Sequence, residues 1–170
     1  DPVGLDGTIA RISPLDGSPA PGNPIADPGN AGRIIAYGLR NPFRFALRPG
    51  TEELWIADVG WTRNDEIDVT TPGRVDNYGW PCFEGRSRQP RYTKAKLPGC
   101  ESLNPKSDVR DPFFTYRHGS QVIPGEACKA TSQSAISGIE FDRGSHFPFP
   151  FDGALLFADI AHYAGLVAAG

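Results

Sequence analysis

The amino-acid sequence predicts an all-β protein that is built from short antiparallel strands. Glycine and proline, 20 and 17 of the 170 residues, interrupt the chain too often for long helices. Apolar and polar residues alternate in short runs, which is the period-2 pattern of strands, whereas helical periodicity is scarce. Such a succession of short strands is typical of a sandwich, a barrel or a propeller.

Strand-like runs follow one another along the chain. They are GTIARI (7–12), RIIAYG (33–38), FRFAL (43–47), ELWIAD (53–58), DEIDVT (65–70), FFTYR (113–117), SAISGIEF (134–141) and GALLFADI (153–160). In the third run Phe43, Phe45 and Leu47 alternate with Arg44 and Ala46, which predicts a half-buried strand. A Pro-Gly turn in RPGTEE joins this run to the next, which predicts an antiparallel hairpin.

The segment at about 81–112 differs from the rest, because it is rich in Pro, Arg, Lys and Gly. We expect a long surface loop, which is either functional or a solvated insertion with no site of its own. A disulfide between Cys82 and Cys100 would contribute about 3 kcal/mol on the chain-entropy model. Three reduced thiols are the alternative. With the disulfide, we expect a secreted, periplasmic or cell-surface protein in which Cys128 is left over.

Charge and length set further limits. The net charge is −3 and the basic residues are scattered, so we expect no nucleic-acid partner. No apolar run approaches membrane-spanning length.

The sequence lacks methionine even at residue 1, so we expect a piece of a longer chain. A propeller blade takes roughly 40–50 residues, which leaves room for about three blades. The rest of a closed propeller would come from missing sequence or from another chain.

Six motifs in order carry a resemblance to a known family: YGLRNPFRFALRP, ELWIADVGWTRNDEID, NYGWPCFEG, FFTYRHG, SAISGIEF and GALLFADI. In this order and at these spacings the chain resembles the soluble quinoprotein sugar dehydrogenases, also called the glucose/sorbosone dehydrogenase family. The resemblance covers nearly the whole chain. It implies that residues 1–170 form about three blades of a single six-bladed β-propeller domain, with the loop at about 81–112 as an insertion.

The resemblance also implies a cofactor site. Enzymes of this family bind pyrroloquinoline quinone (PQQ) and Ca²⁺ across the top of the propeller. Arg40 and Asn41 match the pair that reaches the quinone, and arginine suits this role because its planar fork stays charged and can hold carboxylate or quinone oxygens. Gly60 and Trp61 match two positions whose main-chain carbonyls ligate the calcium, a hard ion that accepts such oxygens. Trp61 stands where a proline is expected.

The hairpin explains how these pairs could meet. Arg40 and Asn41 precede one strand and Gly60 and Trp61 follow its partner, so an antiparallel hairpin places both at the same end. The alternative is that Arg40 pairs with Asp58 or Asp65, while Asn41 and Pro42 only make a turn.

Other candidate residues have simpler interpretations. Asp65 and Glu66 alternate in a strand, so one could point to a structural partner and the other to solvent. His118, His146 and His162 match no metal-ligand spacing, and we expect surface or loop positions. Trp80 is expected to pack in the core rather than to bind a sugar.

The resemblance implies that the chain is a portion of an aldose dehydrogenase. Such an enzyme oxidises a sugar hydroxyl by hydride transfer to PQQ and passes the electrons to an acceptor. The family's histidine base belongs to an earlier blade, so we assign no catalytic residue and expect the 170-residue piece to be inactive. After FADI only His162 offers a cationic contact, and Ala164 lies near the place where a cysteine partner for Cys128 is expected.

Two other functions remain open. One is a non-catalytic propeller module that binds protein or glycan at the cell surface. The other is a calcium-dependent lactonase-like propeller, whose cluster of Glu, Asn and Asp ligands we do not find in the sequence.

Overall fold

The computed structural model describes residues 3–122, 125, 134–144 and 146–160, and the main chain of 164–167. Every predicted run that lies in these ranges contains a strand. The strands are β1 (Ile9–Ala10), β2 (Ile34–Tyr37), β3 (Pro42–Leu47), β4 (Leu54–Asp58), β5 (Asn64–Thr70), β6 (Asp76–Asn77), β7 (Phe83–Glu84), β8 (Ser87–Arg88), β9 (Phe114–Arg117), β10 (Ile136–Phe141), β11 (Leu155–Asp159) and β12 (Ala164–Val167). The helices are α1 (Asn30–Arg33), α2 (Pro90–Ala95) and α3 (Pro98–Glu101).

The strands form three main sheets and one small hairpin. The first sheet has the order β1-β2-β6, the second β3-β4-β5-β9 and the third β10-β11-β12, while β7 pairs with β8. Strands β3 and β4 are antiparallel, with Pro42 opposite Asp58, so the start of β3 lies beside the end of β4. Within the second and third sheets all pairs are antiparallel, as the sequence predicts.

The three main sheets stack face to face, as the blades of a propeller do. Leu54 and Ile56 of β4 share a buried cluster with the first sheet. Trp55 and Ala57, on the opposite face of β4, share a cluster with residues of the third sheet. Because successive side chains of a strand point to opposite faces, β4 is buried on both sides and reads as a continuous apolar run.

Strand β3 is mostly exposed, whereas its alternation predicts a half-buried strand, and Ala46 is its one buried residue. Phe45 is 60% exposed and its neighbours Phe43 and Leu47 are also exposed, whereas Ala46 is buried. Ala46 packs in the cluster that joins the second and third sheets. Strand β3 is the edge strand of the second sheet. On the face that carries Phe43, Phe45 and Leu47, the buried cluster shared with the first sheet includes residues of β4 but none of β3.

The segment at about 81–112 is more ordered than the expected loop. It contains β7, β8, α2 and α3. Gln89 caps α2, because its side-chain oxygen accepts hydrogen bonds from the main-chain N–H groups of Arg91 and Tyr92, and Pro90 begins the helix. Helices this short span less than two turns, so they leave no periodic pattern in a sequence.

The predicted disulfide between Cys82 and Cys100 is present, and both cysteines are buried. It closes residues 82–100, which hold β7, β8 and α2 and are called the disulfide-closed segment below. Cys128 lies outside the described residues. In the described part of the chain, no helix has the length and apolar character that crossing a membrane requires.

Candidate functional site

The four residues that the sequence singles out lie together at one end of the β3–β4 hairpin. The Asp58 carboxylate accepts hydrogen bonds from the main-chain N–H groups of Arg40 (2.9 Å) and Asn41 (2.6 Å). Arg40 Nη1 donates to the Val59 carbonyl at 3.0 Å, and Val59 N donates to the Asn41 carbonyl at 3.0 Å. These bonds tie the start of β3 to the residues that follow β4.

The arrangement differs from the simple ion pair that was the alternative. Within the described residues Arg40 forms no ion pair with Asp58 or Asp65. Asp58 holds the main chain instead. Burial raises the pKa of Asp58 to about 6, although the N–H bonds from Arg40 and Asn41 and the nearby guanidinium charge oppose the rise. At neutral pH Asp58 is therefore mainly an ionised acceptor.

Beyond β4 the chain forms a corner, residues 60–64, whose five N–H groups all point to carboxylates. Gly60 N donates to Asp65 Oδ1 at 2.9 Å. A single oxygen, Glu84 Oε1, accepts the other four, from Trp61, Thr62 and Arg63 at 2.8 Å each and from Asn64 at 3.3 Å. Consecutive N–H groups that converge in this way form an anion-binding nest, here filled by a side chain of the same protein.

The nest fixes the direction of the carbonyls. In a planar trans peptide the C=O and the following N–H point in opposite directions. Since the N–H groups of Trp61 and Thr62 point to Glu84, the carbonyls of Gly60 and Trp61 point away from it, to a common side. Among the described residues no donor bonds to either carbonyl oxygen. The preceding carbonyl, that of Val59, points to Arg40.

Glu84 was not identified from the sequence. Burial raises the pKa of its carboxyl, but the four main-chain N–H bonds outweigh this effect and hold the pKa below its ordinary value. Glu84 is therefore a stable anion inside the nest. The sequence contains one weak signal, an acidic residue in the Cys-Phe-Glu-Gly turn, within a segment that the composition predicts to be a loop.

An aromatic cluster covers the corner from the side of α2. The rings of Trp61, Trp80 and Tyr92 contact one another with centroids 5.6–6.0 Å apart. The Arg91 guanidinium lies over Trp61 at 4.6 Å, and that of Arg40 lies over Trp80 at 5.8 Å. Trp80 is half-buried and packs in this cluster. The disulfide-closed segment thus accommodates the tryptophan that replaces the expected proline.

Asp65 and Glu66 do not divide between the interior and solvent, so that expectation is wrong. Both are buried, on opposite faces of β5. Asp65 bonds to Gly60 N and to the Ser134 hydroxyl, and Glu66 accepts a hydrogen bond from Gly85 N. Neither meets water because β5 is covered on both faces. Burial raises the pKa of Glu66.

The histidines have different environments. His118 lies in the turn after β9, a loop position as expected, but its side chain is only 11% exposed and its Nε2 lies 3.1 Å from Asp65 Oδ1. The two groups form an ion pair when the imidazole is protonated. His146 is at the surface as expected, with 74% of its side chain exposed. His162 lies outside the described residues.

His118 makes stability depend on pH. Its contact with Asp65 raises the pKa of His118, although burial opposes the rise. The folded protein thus holds the imidazole proton more tightly than the unfolded chain, so the stabilisation is complete below the ordinary pKa of about 6.5 and disappears as pH rises through the folded value. We expect urea unfolding to show a difference between wild type and His118→Gln that is largest near pH 6 and shrinks by pH 9. A difference that does not change with pH would contradict this assignment.

Cavities and side-chain clusters add little to the site. Cavities of about 550 and 320 Å³ are lined by none of the four predicted site residues. A third, of about 370 Å³, is lined partly by Leu39 and Trp80, which adjoin Arg40. In the portion of the chain that the structure describes, no group of three or more His, Cys, Asp or Glu side chains could hold a metal ion.

A family model and two curated proteins match this chain, the first two over most of its length. The family model for glucose/sorbosone dehydrogenase matches residues 1–164. The aldose sugar dehydrogenase YliI of Escherichia coli (strain K12) is 34% identical over 144 residues, which is 85% of this chain and 33% of that protein. An uncharacterized protein of Synechocystis, slr1608, is 37% identical over 76 residues, 44% of this chain and 18% of that protein.

Solved structures match as well. The PQQ-bound form of an aldose sugar dehydrogenase from Streptomyces coelicolor has a TM-score of 0.59 at 25% identity, over 92% of this chain and 33% of that one. A structure described as glucose dehydrogenase has a TM-score of 0.65 at 25% identity, over 98% of this chain and 41% of that one. These matches confirm the predicted partial β-propeller. The match with YliI covers most of this chain but only about a third of the length of YliI.

Proposed function

The chain belongs to the glucose/sorbosone dehydrogenase family, and from that premise we propose that it is part of a quinoprotein that oxidises aldoses with PQQ and Ca²⁺. The hairpin end formed by Arg40, Asn41, Gly60 and Trp61 is the proposed cofactor site. A relative whose structure is described as PQQ-bound supports the choice of quinone.

One observation carries the proposal. The Gly60 and Trp61 carbonyls point to a common side without a donor among the described residues, and the Arg40 guanidinium is fixed on the carbonyl immediately before them. A pair of carbonyl oxygens suits calcium, and the same small region offers a cation for an anionic quinone.

The residues present fit such a cofactor. Arg40 uses one guanidinium N–H on Val59, which fixes the fork, and forms no ion pair in the described ranges, so further N–H groups are available to quinone or carboxylate oxygens. PQQ supplies, when bound, the two-electron acceptor for the sugar's hydride. Arg40 would place positive charge beside the acceptor, and the Gly60 and Trp61 carbonyls would hold the calcium.

The disulfide gives indirect support for the cellular compartment. Structural disulfides persist mainly in exported proteins, so we propose a secreted, periplasmic or cell-surface location. The sugar and the electron acceptor are the proposed partners.

Loss of Arg40 tests the proposal. In the full-length protein supplied with PQQ and Ca²⁺, we expect aldose-dependent dye reduction. Arg40→Ala should raise the PQQ concentration for half-maximal activity by about 10–100-fold, because charged hydrogen bonds of about 1.5–3 kcal/mol are lost. Arg40→Lys should recover only part of this loss, since lysine lacks the planar fork.

The control is Arg44→Ala, which removes an exposed arginine from β3 that lies over the Phe43 ring. It should leave the PQQ dependence unchanged. No dye reduction by the wild-type protein, together with no quinone binding, would favour the non-catalytic binding module instead. The 170-residue chain alone is expected to be inactive, because the family resemblance places the histidine base in an earlier blade. Turnover by that piece would contradict the assignment.

A further inference from the structure

The part of the corner that carries the two carbonyls has no regular structure, since residues 59–63 belong to no strand or helix. Something else must hold its main chain. We infer that Glu84 is the positioning residue that directs the Gly60 and Trp61 carbonyls to the proposed calcium. This inference rests on the proposed function.

The geometry supports this role. Four successive N–H groups converge on Glu84 Oε1. Two of them, from Trp61 and Thr62, belong to the peptides that carry the Gly60 and Trp61 carbonyls, so one acceptor atom fixes the orientation of both peptides. Without that acceptor the four N–H groups would lose their common partner and the peptide planes could rotate. A rotated peptide would turn its carbonyl away from the cation.

Glu84 is itself anchored on a rigid support. It lies in β7, two residues after the disulfide-bonded Cys82, and its second oxygen is 3.4 Å from Gln89 Nε2. Its neighbour Gly85 is bonded to the buried Glu66. The segment at about 81–112 therefore contributes a structural anchor to a site whose proposed calcium ligands, the Gly60 and Trp61 carbonyls, lie in the corner at residues 60–64.

The charge of Glu84 has a second effect. A hydrogen bond from a peptide N–H to an anion polarises that peptide and makes its carbonyl oxygen more negative. The Gly60 and Trp61 carbonyls should therefore bind a cation more tightly than carbonyls whose N–H groups face water. A neutral residue of the same shape would keep the geometry in part and lose this polarisation.

Calcium alone is the probe for the test. We expect titration of Ca²⁺ into the metal-free full-length protein to show a dissociation constant at least about 10-fold higher for Glu84→Gln than for wild type. Glu84→Asp, which keeps the charge on a shorter side chain, should fall between them. Glu101→Gln changes an exposed acid on α3 in the same segment and should match wild type.

The outcomes separate the two hypotheses. A wild-type protein that binds no Ca²⁺ would overturn the proposed calcium site itself. Normal wild-type binding, with Glu84→Gln less thermally stable but within about twofold in calcium affinity, would show that Glu84 only stabilises the fold.

Hydrogen exchange of the wild-type protein tests the inference even where the variants fail to fold. The amides of residues 61–64 should be protected before calcium is added, because Glu84 already holds them. Exchange as fast as that of exposed loop amides would show that the corner is not organised in advance, and the inference would fail.

Discussion

Replacement of Gly60 by alanine is expected to destabilise the protein by about 3–5 kcal/mol, or to prevent folding. A Cβ atom at this position would lie 1.6 Å from the Asn64 carbonyl oxygen and 2.7 Å from its carbon. Both neighbours are main-chain atoms, so no side chain can move aside. Relief would require residues 60–64 to open, which would break the N–H bonds to Asp65 and Glu84.

A matched control is available in the same protein. Gly99 lies in α3, and a Cβ there would meet nothing within 4 Å. Gly99→Ala should be neutral or stabilising by up to about 1 kcal/mol, because alanine favours helix. Thermal unfolding of both variants in the full-length protein checks the contrast. Equal melting temperatures for Gly60→Ala and wild type would show that the corner does not have the tight packing described here.

Removal of the Cys82–Cys100 disulfide should lower the free energy of unfolding by about 3 kcal/mol, because the bond links two cysteines with a sequence separation of 18. The structural consequence should extend to the corner. The disulfide-closed segment contains Tyr92 and Arg91, which contact Trp61. We therefore expect the double variant Cys82→Ala/Cys100→Ala to show lower stability and a changed tryptophan fluorescence spectrum.

Wild-type protein treated with a reductant is the comparison for this variant. Its unfolding should approach that of the double variant, while untreated wild type stays more stable. If reduction leaves the midpoint of urea unfolding unchanged, the disulfide does not stabilise this segment.

The sequence predicted those features that repeat or alternate. Strands such as β4 and β5 follow from short apolar runs and from the turns between them, and the hairpin explains why Arg40 and Gly60 meet. The exposure of the large apolar residues of β3 was not predictable. An alternating pattern shows that the two faces of a strand differ, but it does not show which face packs against a neighbouring sheet. Helices α2 and α3 are too short to leave a period.

Some residues of the candidate site were predictable from the sequence and others were not. Resemblance to a family identified Arg40, Asn41, Gly60 and Trp61, whose proposed roles depend on motif and main-chain position. The role of Glu84 and the contact of His118 with Asp65 were not predictable, because the partners are 20 or more residues away in sequence. Such contacts follow from the packing of the disulfide-closed segment and of β9 against the corner, which no local pattern reports.

Calorimetric titration of PQQ into the full-length protein, with and without Ca²⁺, tests the proposed cofactor site most directly. We predict saturable binding to one site that requires Ca²⁺ and is weakened at least about 10-fold in Arg40→Ala. Binding that is equally tight without Ca²⁺ and in Arg40→Ala, or no binding by wild type at all, would contradict the account.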